Sequence, residues 1–192
     1  MDCSATDHTD EQITNEDFSG RDLSGQSFSN CVFRDCNFTD CNLSYSTFED
    51  CTLISCNFSN SKFANTRLRT VAFQQCKLLG LRFDNCDQLL FEISLEGCKI
   101  NNCNFSRLKM KGFQIVNCEI TECDFKETDL TGASFAGSLF RSTLFHKADL
   151  RKASFLQAHG YALDPSANKI KGAKFSVPDV LSLLDYFEIE IK

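Results

Sequence analysis

The sequence predicts an all-β solenoid, a chain wound into stacked coils, and three observations carry that prediction. The first is a register. Stepping by five from Phe18 to Phe83 meets 14 residues, every one of them Phe or Leu. After a two-residue slip within 84–89 the register resumes at Leu90 and runs through 14 apolar residues to Phe155. A period of five fits neither a helix at about 3.6 nor a strand at about 2. It fits a coil in which each five-residue unit makes one side and one corner. The second observation lies two residues before each of these centres, where side chains are mostly small: Cys31, Cys36, Cys41, Ser46, Cys51 and Cys56, and later Ala133, Ser138, Thr143 and Ala148. Positions two apart on an extended segment face the same way, so both point inward. The third is that the remaining positions are rich in Asp, Asn, Ser, Thr and Gly, which suit outward sides and corners.

Taken in order, residues 1–15 precede the register and read as an N-terminal tail. Residues 16–157 are the shaft. The slip at 84–89 falls midway and reads as a bulge or kink joining two half-shafts, or a tolerated corner insertion. Residues 158–175 read as a loop returning to one partial coil, Gly172-Ala173-Lys174-Phe175. In residues 176–192, Ser176 suits a helix N-cap, Pro178 the first turn and Asp179 the helix start. Val180, Leu181, Leu184 and Phe187 then share one face of the expected helix, followed by an alternating Phe187, Ile189 and Ile191. That segment either covers the open end of the last coil or binds a second copy, because a bare solenoid end is an exposed sheet edge.

The segment MDCSATDHTDEQ has no basic start and no apolar run, and no stretch is long enough to span a bilayer, so a soluble cytoplasmic chain is expected. A reducing compartment makes disulfides among the 12 Cys unexpected. A zinc site draws on convergent pairs spaced C-x₂₋₄-C, whereas these cysteines are five apart and flanked by Phe and Leu. They read as small core filler, with no metal and no cofactor expected. A nucleophilic Cys needs a base beside it, and the repeat places none of His8, His146 or His159 there. No phosphate-binding loop or nucleophile elbow occurs, and a filled shaft offers no pocket, so no enzyme is expected.

The charge is uneven. Residues 1–60 hold 11 acids against Arg21 and Arg34, a net −9, and residues 61–115 hold 9 bases against 4 acids, a net +5. Asp17, Asp22, Asp35, Asp40, Glu49 and Asp50 are the outward acids to weigh as a partner-binding surface. Each also suits a solenoid corner or turn by bonding local backbone. The basic middle reads as solvated surface or as a contact for an acidic partner. An acidic first third disfavours direct nucleic-acid binding and suits a protein that itself binds nucleic acid.

Units such as Ala148-Asp149-Leu150-Arg151-Lys152, Cys36-Asn37-Phe38-Thr39-Asp40 and Cys103-Asn104-Phe105-Ser106-Arg107 resemble the pentapeptide-repeat family, Ala-(Asp/Asn)-Leu-X-X. The resemblance covers about residues 16–157. It implies a right-handed quadrilateral β-helix with four units per coil, hence about seven coils. Asp164-Pro165-Ser166-Ala167-Asn168-Lys169-Ile170 and the apolar segment after it resemble the end of one branch, which holds the Qnr-type and mycobacterial fluoroquinolone-resistance proteins and a microcin immunity protein. The absence of long insertions within either register brings the chain nearer to the mycobacterial type. The resemblance implies a DNA-mimicking homodimer joined at Val180, Leu181, Leu184 and Phe187. It also implies DNA gyrase or topoisomerase IV as partner, no membrane, and altered sensitivity to quinolone-like or peptide poisons. A general interaction scaffold with no topoisomerase role is the alternative.

Overall fold

The computed structural model describes residues 6–187 and Ile189. They form a four-sided parallel β-solenoid of about 8 turns. Residues 20 apart stack. On side 1, Asp7–Thr9, Ser27–Ser29, Thr47–Glu49 and Arg67–Arg69 pair in parallel, rung on rung. Side 2 is a six-stranded ladder from Gln12–Thr14 to Ile115–Val116. Side 3 carries Lys77–Leu79, Lys99–Asn101, Glu119–Thr121 and Leu139–Arg141. Side 4 is built of single-residue bridges, among them Asp22 to Asn42 to Lys62.

Along the shaft, except at the insertion, the residue two after a centre turns the corner with positive φ, as at Asp35 (54°), Asp40 (56°) and Asp50 (52°). Asn, Asp and Gly tolerate that left-handed region best, which is why they recur there. Inside, the large residues form columns. Phe18, Phe38 and Phe58 stack face to face, the last two with ring centroids 4.5 Å apart and planes 4° from parallel. Phe83, Phe105, Phe125 and Phe145 continue a second such stack. All are buried.

The shaft starts earlier than the register indicated. Asp7–Thr9 and Gln12–Thr14 add a coil within the segment expected as a tail. His8 takes the centre position, its ring stacked on Phe28 at 5.1 Å and its Nδ1 2.9 Å from Glu11 Oε1. This coil and the closing strand Lys174–Phe175, paired with Ser154–Phe155, bring seven expected coils to about 8.

The slip also resolves differently in detail. A 3₁₀ turn at Phe83–Asn85 precedes it, and pairing then runs 22 residues apart, Val71 to Ile93 and Lys77 to Lys99. Leu90 was expected as an inward centre. It instead turns with φ 58° and is 68% exposed, while Phe91 enters the core beside Phe113. The amide of Glu92 donates to the Leu68 carbonyl, the bond expected of a residue just after a centre.

The C-terminal cap has its own logic. Tyr161 and Leu163 are buried over the last coil, and Tyr161 packs against Phe155 and Phe175. Buried Asn168 sits at an inward small position, where its Oδ1 accepts from Ala148 N and its Nδ2 donates to Phe145 O and Asp164 O. The final helix is a 3₁₀ segment, Asp179–Phe187. Ser176 does not cap it through its side chain; its Oγ accepts from Gln157 N. Ser182 Oγ donates to the Tyr161 carbonyl, and His159 Nδ1 lies 2.9 Å from Asp179 Oδ2, so two contacts pin this segment to the shaft. Ile191 lies outside the described residues.

Candidate functional site

The six outward acids occupy three kinds of place. Asp17 and Asp22 stand just before centres, on sides 3 and 4. Each Oδ1 accepts a backbone N–H two residues on, from Ser19 and Ser24 at 3.0 Å. Each also accepts from the amide of the next rung, Asn37 at 3.0 Å and Asn42 at 2.9 Å. Hydrogen bonds from Ser19 and Ser24, ahead of those from the asparagines, hold both carboxyls below the usual carboxylate value. Glu49 is on side 1, with Arg69 Nη1 at 3.8 Å. Asp35, Asp40 and Asp50 occupy three different corners. The six therefore surround the first three coils as an anionic collar, and no single side holds them all.

The geometry separates what the fold needs from what it leaves over. Asn15, Asn30, Asn60 and Asn65 hold the same left-handed corner as Asp35, Asp40 and Asp50. The corner also accepts Glu127, Lys147 and Lys152, so it is indifferent to the charge of its side chain. The negative charge at these corners is surplus to the fold.

The apolar residues of the last segment split in two. With about 3 residues per turn, spacing by three keeps a residue on one face. Val180 and Leu183 form the inner stripe: Val180 packs on the core and Leu183 is buried. Leu181, Leu184 and Phe187 form the outer one, with Leu181 and Phe187 exposed and Leu184 half-buried. Of the four residues assigned to a dimer face, Val180 packs on the shaft and the other three share an outer stripe that is exposed at Leu181 and Phe187.

The 11 described cysteines are free and buried. Their position is one for donors. Cys51 Sγ donates to the carbonyl of Phe28 and Cys76 Sγ to that of Leu53, each 23 residues earlier. Ser61, Thr66 and Thr128 make the same bond through oxygen. Burial pushes the thiols of Cys41 and Cys51 up to about 12 and about 11, so both stay protonated at neutral pH. Among the described residues no three His, Cys, Asp or Glu converge to hold a metal ion, and no helix is long and apolar enough to cross a membrane.

Two family profiles match parts of the chain. Pentapeptide repeats match residues 118–156, and the SV2A/B/C luminal domain matches residues 5–83. No curated protein matches the sequence. Among solved structures, HetL, a pentapeptide repeat protein involved in heterocyst differentiation regulation from the cyanobacterium Nostoc, is similar. It has 20% identity over 90% of this chain and 87% of that one, with a TM-score of 0.61. QnrB1, a plasmid-mediated fluoroquinolone resistance protein, aligns over 96% of this chain and 99% of that one at 22% identity, with a TM-score of 0.46. A pentapeptide repeat protein from the Arabidopsis thaliana thylakoid lumen covers 65% of this chain and 64% of its own, at 18% identity and a TM-score of 0.29. At these identities the likeness is one of fold.

Proposed function

We propose, from the premise that this chain is a pentapeptide-repeat protein, that it is a non-enzymatic binding shaft. Its acidic N-terminal coils dock on the DNA-binding surface of a type II topoisomerase, DNA gyrase or topoisomerase IV, and change that enzyme's sensitivity to quinolone-like or peptide poisons. What supports the reading is the collar of fixed acids. The rungs fix the backbone beneath all six acids, and hydrogen bonds also hold the carboxylates of Asp17 and Asp22, so little freedom of those two is lost when they meet a basic groove. A shaft about 15–20 Å long at its acidic end, four rungs at about 4.8 Å each, matches the charge of a short duplex though not its phosphate spacing. The outer stripe of Leu181, Leu184 and Phe187 supplies the face on which two copies join.

The test is gyrase supercoiling in a quinolone titration with and without the purified chain, beside a direct binding measurement. The reading expects more drug to be tolerated and binding that weakens at high salt. No binding to either gyrase subunit and no shift in the titration would sink it. Asp35→Asn, Asp40→Asn and Asp50→Asn together keep the corners and remove three charges. They are expected to weaken binding about tenfold at low salt while the melting temperature holds, at roughly 0.5 kcal/mol per exposed contact.

A second reading, a general interaction scaffold in the cytoplasm, draws on a specific observation: the acids are scattered over three sides and three corners, and the middle coils are basic. Recovery of a different partner by affinity capture, with gyrase absent, would favour it.

A further inference from the structure

Side 1 carries a charge pattern that is complementary to itself. Below the insertion its outward residues include Glu49 and Asp50, and above it Lys111, Arg151 and Lys152. Asp50, Glu92, Lys111 and Lys152 have no ion-pair partner among the described residues. Near the middle of the side, Leu89 and Leu90 are 64% and 68% exposed beside a groove lined by Val71, Phe91, Ile93 and Phe113. Tyr45, Leu144 and Leu156 are exposed singly on the shaft, whereas these two leucines are adjacent and border a partly apolar groove.

We propose that side 1 is an interface on which a second copy of the chain packs antiparallel. Its two-fold axis crosses the side between the rung of Phe91 and the rung of Met110. Such an axis lies across the shaft, so it exchanges rungs but keeps each column facing the same column. The residue after a centre meets another of its kind, and a corner meets a corner. Glu49 then faces Arg151, Asp50 faces Lys152, Arg67 faces Asp129 and Glu92 faces Lys111, each pair occurring twice. No like charges meet. Moving the axis by half a rung places Arg69 opposite Lys111 in one direction and opposite Arg151 in the other, so the pattern selects one register. In that register the leucines of both copies gather at the axis, about 4.8 Å apart along the shaft. The result is an apolar centre with charged flanks, the usual layout of a specific interface. This association is separate from the one through Leu181, Leu184 and Phe187. A strip one sheet wide is at the small end of stable interfaces, so the dimer forms in a concentration-dependent and salt-dependent way.

Sedimentation velocity on the full chain tests it, using two charge-reversed variants. The first carries Lys111→Glu, Arg151→Glu and Lys152→Glu; the second carries Glu49→Lys, Asp50→Lys and Glu92→Lys. Lys147 and Lys152 already hold positive φ, so Lys at the Asp50 corner is compatible with the fold. Each variant alone is expected to lose association about a hundredfold, six favourable exposed contacts turned repulsive. Mixed, the two restore it, because every reversed residue then faces a reversed partner. Leu89→Ser with Leu90→Ser, in an exposed turn, is expected to weaken association with an unchanged melting temperature. Leu184→Asp with Phe187→Asp leaves this contact in place. Variants that associate as the wild type does, or a mixture that stays apart, would overturn the proposal. So would a wild-type chain that remains monomeric at low salt yet binds poly-glutamate, which would assign the basic rungs to an acidic partner.

Discussion

The large inward residue is where most of the stability is held. Phe58 touches Phe38 below it and meets Phe63 and Phe73 edge-on, with centroids 5.9 and 5.7 Å away. Phe58→Ala is expected to cost about 3–5 kcal/mol, read as a lower denaturant midpoint, because stacked rungs cannot collapse into the gap. The corner residue makes the opposite prediction. Asp40→Asn is expected to leave stability unchanged, whereas Asp40→Val, forced to φ 56°, loses about 1–3 kcal/mol. Titration adds a third. Hydrogen bonds lower the carboxyls of Asp17 and Asp22, and the Arg151 side chain lowers that of Asp149. The unfolded chain then binds more protons than the native one near pH 4. The stabilisation is complete above the unfolded value and fades as pH falls through the lower native one. Denaturant midpoints at successive pH values are expected to drop below about pH 4, less steeply in Asp17→Asn with Asp22→Asn.

Among the elements, the shaft was legible from its unbroken period and its two ends were not. His8 stands where Phe would mark a coil, and Glu11 and Glu16 where a small residue would, so ahead of Phe18 only Ile13 keeps the pattern. At the insertion, Leu90 and Phe91 are both apolar, and a count of five cannot say which of two neighbours enters the core. In the last segment, Leu181, Leu184 and Phe187 fit three residues per turn as well as 3.6, and only packing against Tyr161 and the last coil decides. The donor role of the small position was hidden because Ala also fills it at Ala133, Ala148 and Ala153. The scatter of the six acids, by contrast, could be read from a 20-residue coil, since Asp17 and Asp22 are five apart and so lie on adjacent sides. The cap makes its own prediction. A Cβ on Gly160 would lie 2.4 Å from the Phe140 carbonyl oxygen, and its φ is 70°. Gly160→Ala is therefore expected to loosen the cap, read as faster amide exchange over 179–187 while the shaft stays protected.

For the molecule as a whole, the spacing between stacked rungs has a kinetic consequence. Strand partners lie 20 residues apart, or 22 across the insertion, at every level of the shaft. Relative contact order is then on the order of 0.1, the range of helical bundles and not of β-sandwiches. Closing each turn costs the same loop entropy wherever it happens, so no rung waits for a distant strand to arrive. This all-β chain is expected to refold on the timescale of small helical proteins, adding one turn to the next from whichever turn forms first.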